Sequence, residues 1–152
     1  MIDDRIQILL VEDNAADVRL LREAMRDVKT PHDLRVAGDG EQALAMLRRD
    51  AALPEQARAD LIFLDLKLPR KSGLELLRDI RADENLHLTP VIVLTTSTSQ
   101  TDVEGAYGLG ANCYIVKPVD FEQFRQVVSA VDQLWFVCAR LPTHGVLLGG
   151  RG

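Results

Sequence analysis

Short apolar runs alternate along this chain with longer segments in which apolar residues recur every three or four positions. The runs are Ile6-Gln7-Ile8-Leu9-Leu10-Val11, Leu61-Ile62-Phe63-Leu64, Val91-Ile92-Val93-Leu94 and Cys113-Tyr114-Ile115-Val116. Near-continuous apolar runs of this length predict strands covered on both faces, the habit of parallel sheets. A weaker alternating stretch, Leu34-Arg35-Val36-Ala37, predicts a strand at a sheet edge. Helices fill the intervals. Asn14 is placed to cap the first, whose stripe is Val18, Leu21, Met25 and Val28. Asp39, with Gln42 three residues on, opens the second, which carries Ala43, Leu44 and Leu47 on one face. Residues 49–59 form a polar, Pro-broken connection. Ser72 and Glu75 make a capping box for a third helix with Leu74, Leu77 and Ile80 as its buried stripe. A fourth helix, roughly 100–109, contains Gly105 and Gly108. Each glycine costs a helix interior about 1 kcal/mol relative to alanine, so this helix is expected to be the least robust. Asp120 caps a long fifth helix with Phe124, Val127, Val128, Val131, Leu134 and Trp135, and Pro142 stops it.

Strands alternating with helices imply an α/β fold of five strands and five helices built from βαβ units. Residues 1–142 read as one domain and the Gly-rich residues 143–152 as a mobile tail. A chain of 152 residues buries a full core without disulfides or metals as staples. Hydrophobic residues make up 47% and charged residues 27%, which argues against disorder. The net charge of −5 removes the electrostatic case for direct binding to nucleic acid. Cys113 and Cys138 lack metal-ligand spacing and are expected to be buried, reduced thiols, which fits a cytoplasmic protein. No stretch approaches the about 18 uncharged apolar residues of a membrane span.

The chemistry gathers at the ends of the apolar runs. Glu12-Asp13 follow the first strand, Asp65 follows Leu64, Thr95-Thr96-Ser97 follow Leu94, and Lys117-Pro118 follow Val116. Right-handed crossovers put the carboxyl ends of parallel strands on one edge, where ligands bind in such folds. Glu12, Asp13, Asp65, Thr95 and Lys117 therefore converge. Three carboxylates beside one ammonium leave two net negative charges, which one Mg²⁺ cancels. Ionised Asp65 is then an in-line nucleophile toward phosphorus, with Mg²⁺, the Lys117 amine and the Thr95 hydroxyl each taking one equatorial oxygen. A cis Lys117–Pro118 bond would fix the loop after it, and the sequence leaves that isomer open. Thr96 and Ser97 read as loop polar groups, and His32, His87 and His144 as surface or loop residues. Gly108-Leu109-Gly110 follows a helix and not a first strand, which rejects a dinucleotide fingerprint.

The ordered set Val11-Glu12-Asp13-Asn14, Leu64-Asp65-Leu66, Leu68-Pro69, Ser72-Gly73, Leu94-Thr95-Thr96-Ser97 and Tyr114-Ile115-Val116-Lys117-Pro118 resembles the receiver domain of two-component response regulators. The resemblance covers about residues 5–140. It implies a flavodoxin-like doubly wound sheet of strand order 2-1-3-4-5. It implies Asp65 as phosphoacceptor and a metal site of Glu12, Asp13, Asp65 and the backbone carbonyl of Lys67. It also implies Thr95 as the switch hydroxyl, Tyr114 as the switch aromatic and Lys117 as the phosphate-binding amine. The Lys67 side chain occupies a position that tunes phosphoryl lifetime in the family, where it either guards the phosphoryl group or points to solvent.

The long connection at 49–59, the Leu94-Thr95-Thr96-Ser97 form and the apolar end of the fifth helix resemble small stand-alone regulators of phytochrome-type histidine kinases. The implied partners are a sensor histidine kinase or a histidine phosphotransfer protein, docking near Arg19 and Arg22 on the first helix. The chain is expected to be no enzyme in its own right. Only about ten residues follow Pro142, so no attached output domain is expected. Trp135-Phe136-Val137-Cys138-Ala139 make the end of the fifth helix apolar all round, which predicts a homodimer through the face of helix four, strand five and helix five. The competing enzyme reading is a phosphatase forming an aspartyl phosphate, but such enzymes place a second acid two residues after the nucleophile, and here that residue is Lys67. A flavodoxin-like binding module lacks its phosphate loop after the first strand.

Overall fold

The computed structural model describes residues 5–54 and 57–142. The expected mobile tail, 143–152, and His144 within it lie outside the described residues. Five strands, β1 (Ile6–Val11), β2 (His32–Ala37), β3 (Leu61–Leu64), β4 (Val91–Thr95) and β5 (Cys113–Val116), form one sheet in the order β2-β1-β3-β4-β5. Every neighbouring pair is parallel. The helices are α1 (Ala15–Met25), α2 (Gly40–Asp50), α3 (Gly73–Ala82), α4 (Gln100–Gly108) and α5 (Phe121–Val131).

The central strands are buried on both faces because successive side chains alternate sides. On one face Ile8, Leu10, Leu61, Phe63, Ile92 and Leu94 pack against Leu21, Met25, Phe124 and Val128 of α1 and α5. On the other, Leu9, Val11, Ile62 and Leu64 meet Ala43, Leu44 and Leu47 of α2 and Leu76, Leu77 and Ile80 of α3. Strand β2 lies at the sheet edge and is mostly half-buried, as its weaker alternation predicts.

Caps begin the helices where the polar residues say they should. The Asn14 side chain accepts from the N–H groups of Ala16 and Asp17, Asp39 from Gln42, and Ser72 and Glu75 close a complete capping box. Four expectations change. Cys113 is half-buried, because β5 is an edge strand, and Cys138 is exposed, so neither is the buried thiol expected. Leu76, not Leu74, joins Leu77 and Ile80 in the α3 stripe, while Leu74 turns toward a small cluster of Leu66, Val93 and Ala106. The cause is α4, which packs beside α3 on the same sheet face and takes Leu74 as its own contact. Val28 lies past the end of α1, though it still packs on the core. The fifth helix is α-helical only to Val131 and continues as a π-helical stretch, Asp132–Cys138. The wider winding buries Phe136 and leaves Leu134 and Val137 exposed, so this end is apolar but not uniformly buried. Buried Asp132 accepts from the Thr30 hydroxyl at 2.8 Å, which ties this wider stretch to the segment before β2.

Candidate functional site

Strand register brings the site together. Val11 pairs with Leu64, and Thr95 with Val116, so the residues that follow emerge side by side at the carboxyl edge. The Asp65 N–H donates to the Val11 carbonyl at 3.1 Å, and the Lys117 N–H to the Thr95 carbonyl at 2.7 Å. Asp65 and Lys117 are thus fixed through their own main chains. Asp65 is held from behind as well. A Cβ on Gly73 would lie 2.4 Å from the Asp65 carbonyl oxygen, so only glycine lets α3 start this close to Asp65.

Carboxylate oxygens of Glu12, Asp13 and Asp65 all lie within 4.8 Å of one another. Glu12 and Asp65 are buried and Asp13 is exposed, so the cluster opens to solvent on one side. The Lys117 Nζ reaches into it, 2.5 Å from Glu12 Oε1, 2.8 Å from Asp17 Oδ2 and 3.4 Å from Asp65 Oδ2. The second Glu12 oxygen accepts from the Asn14 N–H at 3.2 Å, and Asp65 Oδ1 from the Lys67 N–H at 3.3 Å.

These contacts set the protonation energetics. Burial pushes the Glu12 carboxyl up to about 7, opposed by its hydrogen bond with Lys117 and reinforced by the nearby Asp65 charge. Burial pulls the Lys117 ammonium down, but its hydrogen bonds with Asp17 and Glu12 and the field of Asp65 outweigh that and hold it above its ordinary range. A group of hard oxygen donors, one exposed and two buried, suits a small divalent cation that keeps several waters.

Thr95, the last residue of β4, is fully buried. Its hydroxyl accepts from the Ser97 N–H at 3.5 Å, and among the described residues no hydrogen bond joins it to Asp65. Tyr114 donates its hydroxyl to the Ser97 carbonyl at 2.9 Å, and its ring packs on Leu66, Val93 and Ala106. Ser97 is therefore not a simple loop residue. It is buried, and its hydroxyl donates to Asp102 of α4 at 2.5 Å. Tyr107 of α4 accepts from the Tyr114 N–H at 3.1 Å, closing a hydrogen-bonded link among β5, α4 and the segment before α4. Lys67 is exposed. No peptide bond among the described residues is cis, so the Lys117–Pro118 bond is trans.

Asp17 is the site residue that sequence reading misses. Its place in the first turn of α1 has a sufficient local reason, since acidic residues there complement the helix dipole. His32 and His87 form local hydrogen bonds with the carbonyls of Thr30 and Glu84, away from the carboxylate cluster.

Residues 8–129 match the family model described as the response regulator receiver domain. The chain belongs to the response regulator receiver family. The receiver is 38% identical over 135 residues to response regulator Rcp1 of Synechocystis sp., covering 89% of this chain and 92% of that protein. A crystal structure of the phosphorylated cyanobacterial phytochrome response regulator RcpA is 41% identical, with a TM-score of 0.83, covering 91% of the receiver and 99% of that chain. The Mn²⁺-bound form of response regulator Rcp1 is 37% identical, with a TM-score of 0.81, covering 90% and 99%. The flavodoxin-like fold and its strand order agree with the expectation drawn from the motifs.

Proposed function

We propose that this receiver takes a phosphoryl group from a sensor histidine kinase onto Asp65 in a Mg²⁺-dependent reaction and signals by altered protein–protein contacts. The observation that carries the reading is the placement of the Lys117 amine 3.4 Å from Asp65 Oδ2, inside the Glu12–Asp13–Asp65 carboxylate cluster. An Asp65 oxygen attacks phosphorus, the bond from phosphorus to the donor histidine breaks, and the imidazole leaves with its electron pair to regain a proton. Lys117 neutralises one phosphoryl oxygen, and the Thr95 hydroxyl donates to another once it leaves its present contact. Glu12, Asp13, Asp65 and the Lys67 carbonyl would hold Mg²⁺, which when bound neutralises charge on the transferred group. Tyr114, already tied to the Ser97 carbonyl, would carry the change at Thr95 to α4 and β5.

One relative supports a phytochrome-type kinase as donor: RcpA is a phytochrome response regulator whose structure is phosphorylated. A histidine phosphotransfer protein presents the same phosphohistidine chemistry and is the second donor class. The product is a stoichiometric aspartyl phosphate on the receiver itself and not turnover of a separate substrate. Incubation with acetyl phosphate and Mg²⁺, followed by intact mass, is expected to give one phosphoryl adduct, lost in Asp65→Asn and suppressed by chelator. An undiminished adduct in Asp65→Asn would refute the assignment, and steady turnover of a generic phosphomonoester would make the chain a phosphatase.

A further inference from the structure

An ammonium has three N–H donors, and the Lys117 amine faces three carboxylates. It does not share itself evenly. Charge-assisted N–H···O bonds are at their best near 2.7–2.9 Å. The contacts with Glu12 at 2.5 Å and Asp17 at 2.8 Å are short, and the contact with Asp65 at 3.4 Å is stretched. Phosphoryl transfer requires the opposite bias, because the amine must follow charge that develops on oxygens attached to the group joining Asp65.

Asp17 is well fixed for holding the amine back. Its N–H is capped by the Asn14 side chain at 3.1 Å, and α1 behind it is anchored in the core through Leu21 and Met25. Its carboxylate stays about one-third exposed, at 31%, while the Lys117 side chain is 11% exposed. Asp17 is thus a rigid, partly hydrated counter-ion that is not one of the three clustered metal-ligand candidates.

We propose that Asp17 is a positioning residue that restrains Lys117, drawing its amine toward α1 and away from the acceptor, so that phosphorylation proceeds only as fast as this ion pair yields. The inference rests on Asp65 being the acceptor. Its distinct content is that the carboxylate at position 17 acts through Lys117 and slows the reaction.

The test is a double-mutant cycle on the full chain with acetyl phosphate and Mg²⁺, read as labelling rate by intact mass, with thermal melts to verify folding. Asp17→Asn keeps the shape and removes the charge. Releasing one charge-assisted bond from the amine is expected to speed labelling roughly three- to tenfold. In a Lys117→Ala background the same substitution is expected to change nothing, and Asp17→Glu is expected to restore the slow rate. The Lys117 side-chain ¹⁵N resonance gives a second readout that needs no reaction. It should move in Asp17→Asn and return in Asp17→Glu. Slower labelling in Asp17→Asn, an acceleration that persists without Lys117, or an unmoved resonance each overturns the restraint. Loss of labelling in the wild-type chain, or labelling that survives Asp65→Asn, overturns the acceptor assignment, and the restraint falls with it.

Discussion

Asp65 is useful because its neighbours make one charge state awkward and another productive. Three carboxylates in close company repel, and Lys117 offsets only part of that cost. A divalent cation is therefore expected to stabilise the folded chain. At a concentration one hundred times its dissociation constant, Mg²⁺ should add about 2.7 kcal/mol of stability by mass action. Asp13→Asn should lose most of that increment, read as the Mg²⁺-dependent rise in melting temperature. The metal-free chain should also report on Glu12. Its folded value near 7 lies above the ordinary 4.5, so the unfolded state gives up the proton first as pH rises. The folded state is then penalised progressively between about 4.5 and 7, and the penalty is absent below that window. In Glu12→Gln the falling stability across this window should flatten relative to wild type, and parallel curves in urea titrations would remove Glu12 as the cause.

Among the elements, α4 and the turn from β3 into α3 stand at opposite extremes. Only Ala106 of α4 is buried, and two of its nine residues are glycine. A Cβ at Gly105 would meet only Leu74 Cδ1 at an ordinary 3.6 Å. Gly105→Ala should therefore stabilise the chain by about 0.5–1 kcal/mol through helix propensity. Hydrogen exchange confined to α4 should slow alongside it. Elements that move in switching come from the weakly packed part of a structure, and α4 meets that condition by composition and by packing. The other turn has no slack. At Gly73 a Cβ would collide with the Asp65 main chain, and at Gly40 with the Lys71 carbonyl at 2.2 Å. Gly73→Ala should cost several times more stability than Ser72→Ala, whose lost cap is worth about 1 kcal/mol, and it should lower phosphoryl labelling because it displaces the Asp65 backbone. Equal losses in denaturant titrations of the two variants would contradict the close-approach reading.

At the scale of the whole molecule, several large apolar side chains of the carboxyl-terminal half are left exposed. Tyr107, Val116, Val119, Leu134 and Val137 are all at least 42% exposed, with Val119 fully so. They come from α4, the end of β5, the turn before α5 and the π-helical stretch. Large apolar side chains exposed on neighbouring elements suit an interaction site. We propose a homodimer across this face. Sedimentation at tens of micromolar (roughly), with and without a phosphoryl mimic, should show the dimer, and Leu134→Asp should shift it to monomer. Monomer throughout would leave this surface to a different partner. None of the described helices is long and apolar enough to cross a membrane.

The apolar runs, caps and strand-end residues are local properties, so the chain alone determines the elements, the α/β class and the group of residues at the carboxyl edge. Glu12, Asp65, Thr95 and Lys117 are legible because each ends a run whose exit from the sheet is dictated by parallel topology. Contacts between distant segments obey no such local rule. Asp17 meets Lys117 across one hundred residues, Leu74 abandons its helical stripe for α4, and Ser97 is drawn inward by Asp102 and Tyr114. Each of these residues has an adequate local explanation that hides its tertiary role. The order of residues at the strand ends sets which groups can do the chemistry. Only the packing of α1 against the sheet decided how the Lys117 amine is shared among the carboxylates, because that depends on distances of a few tenths of an ångström between elements that meet only in the folded state.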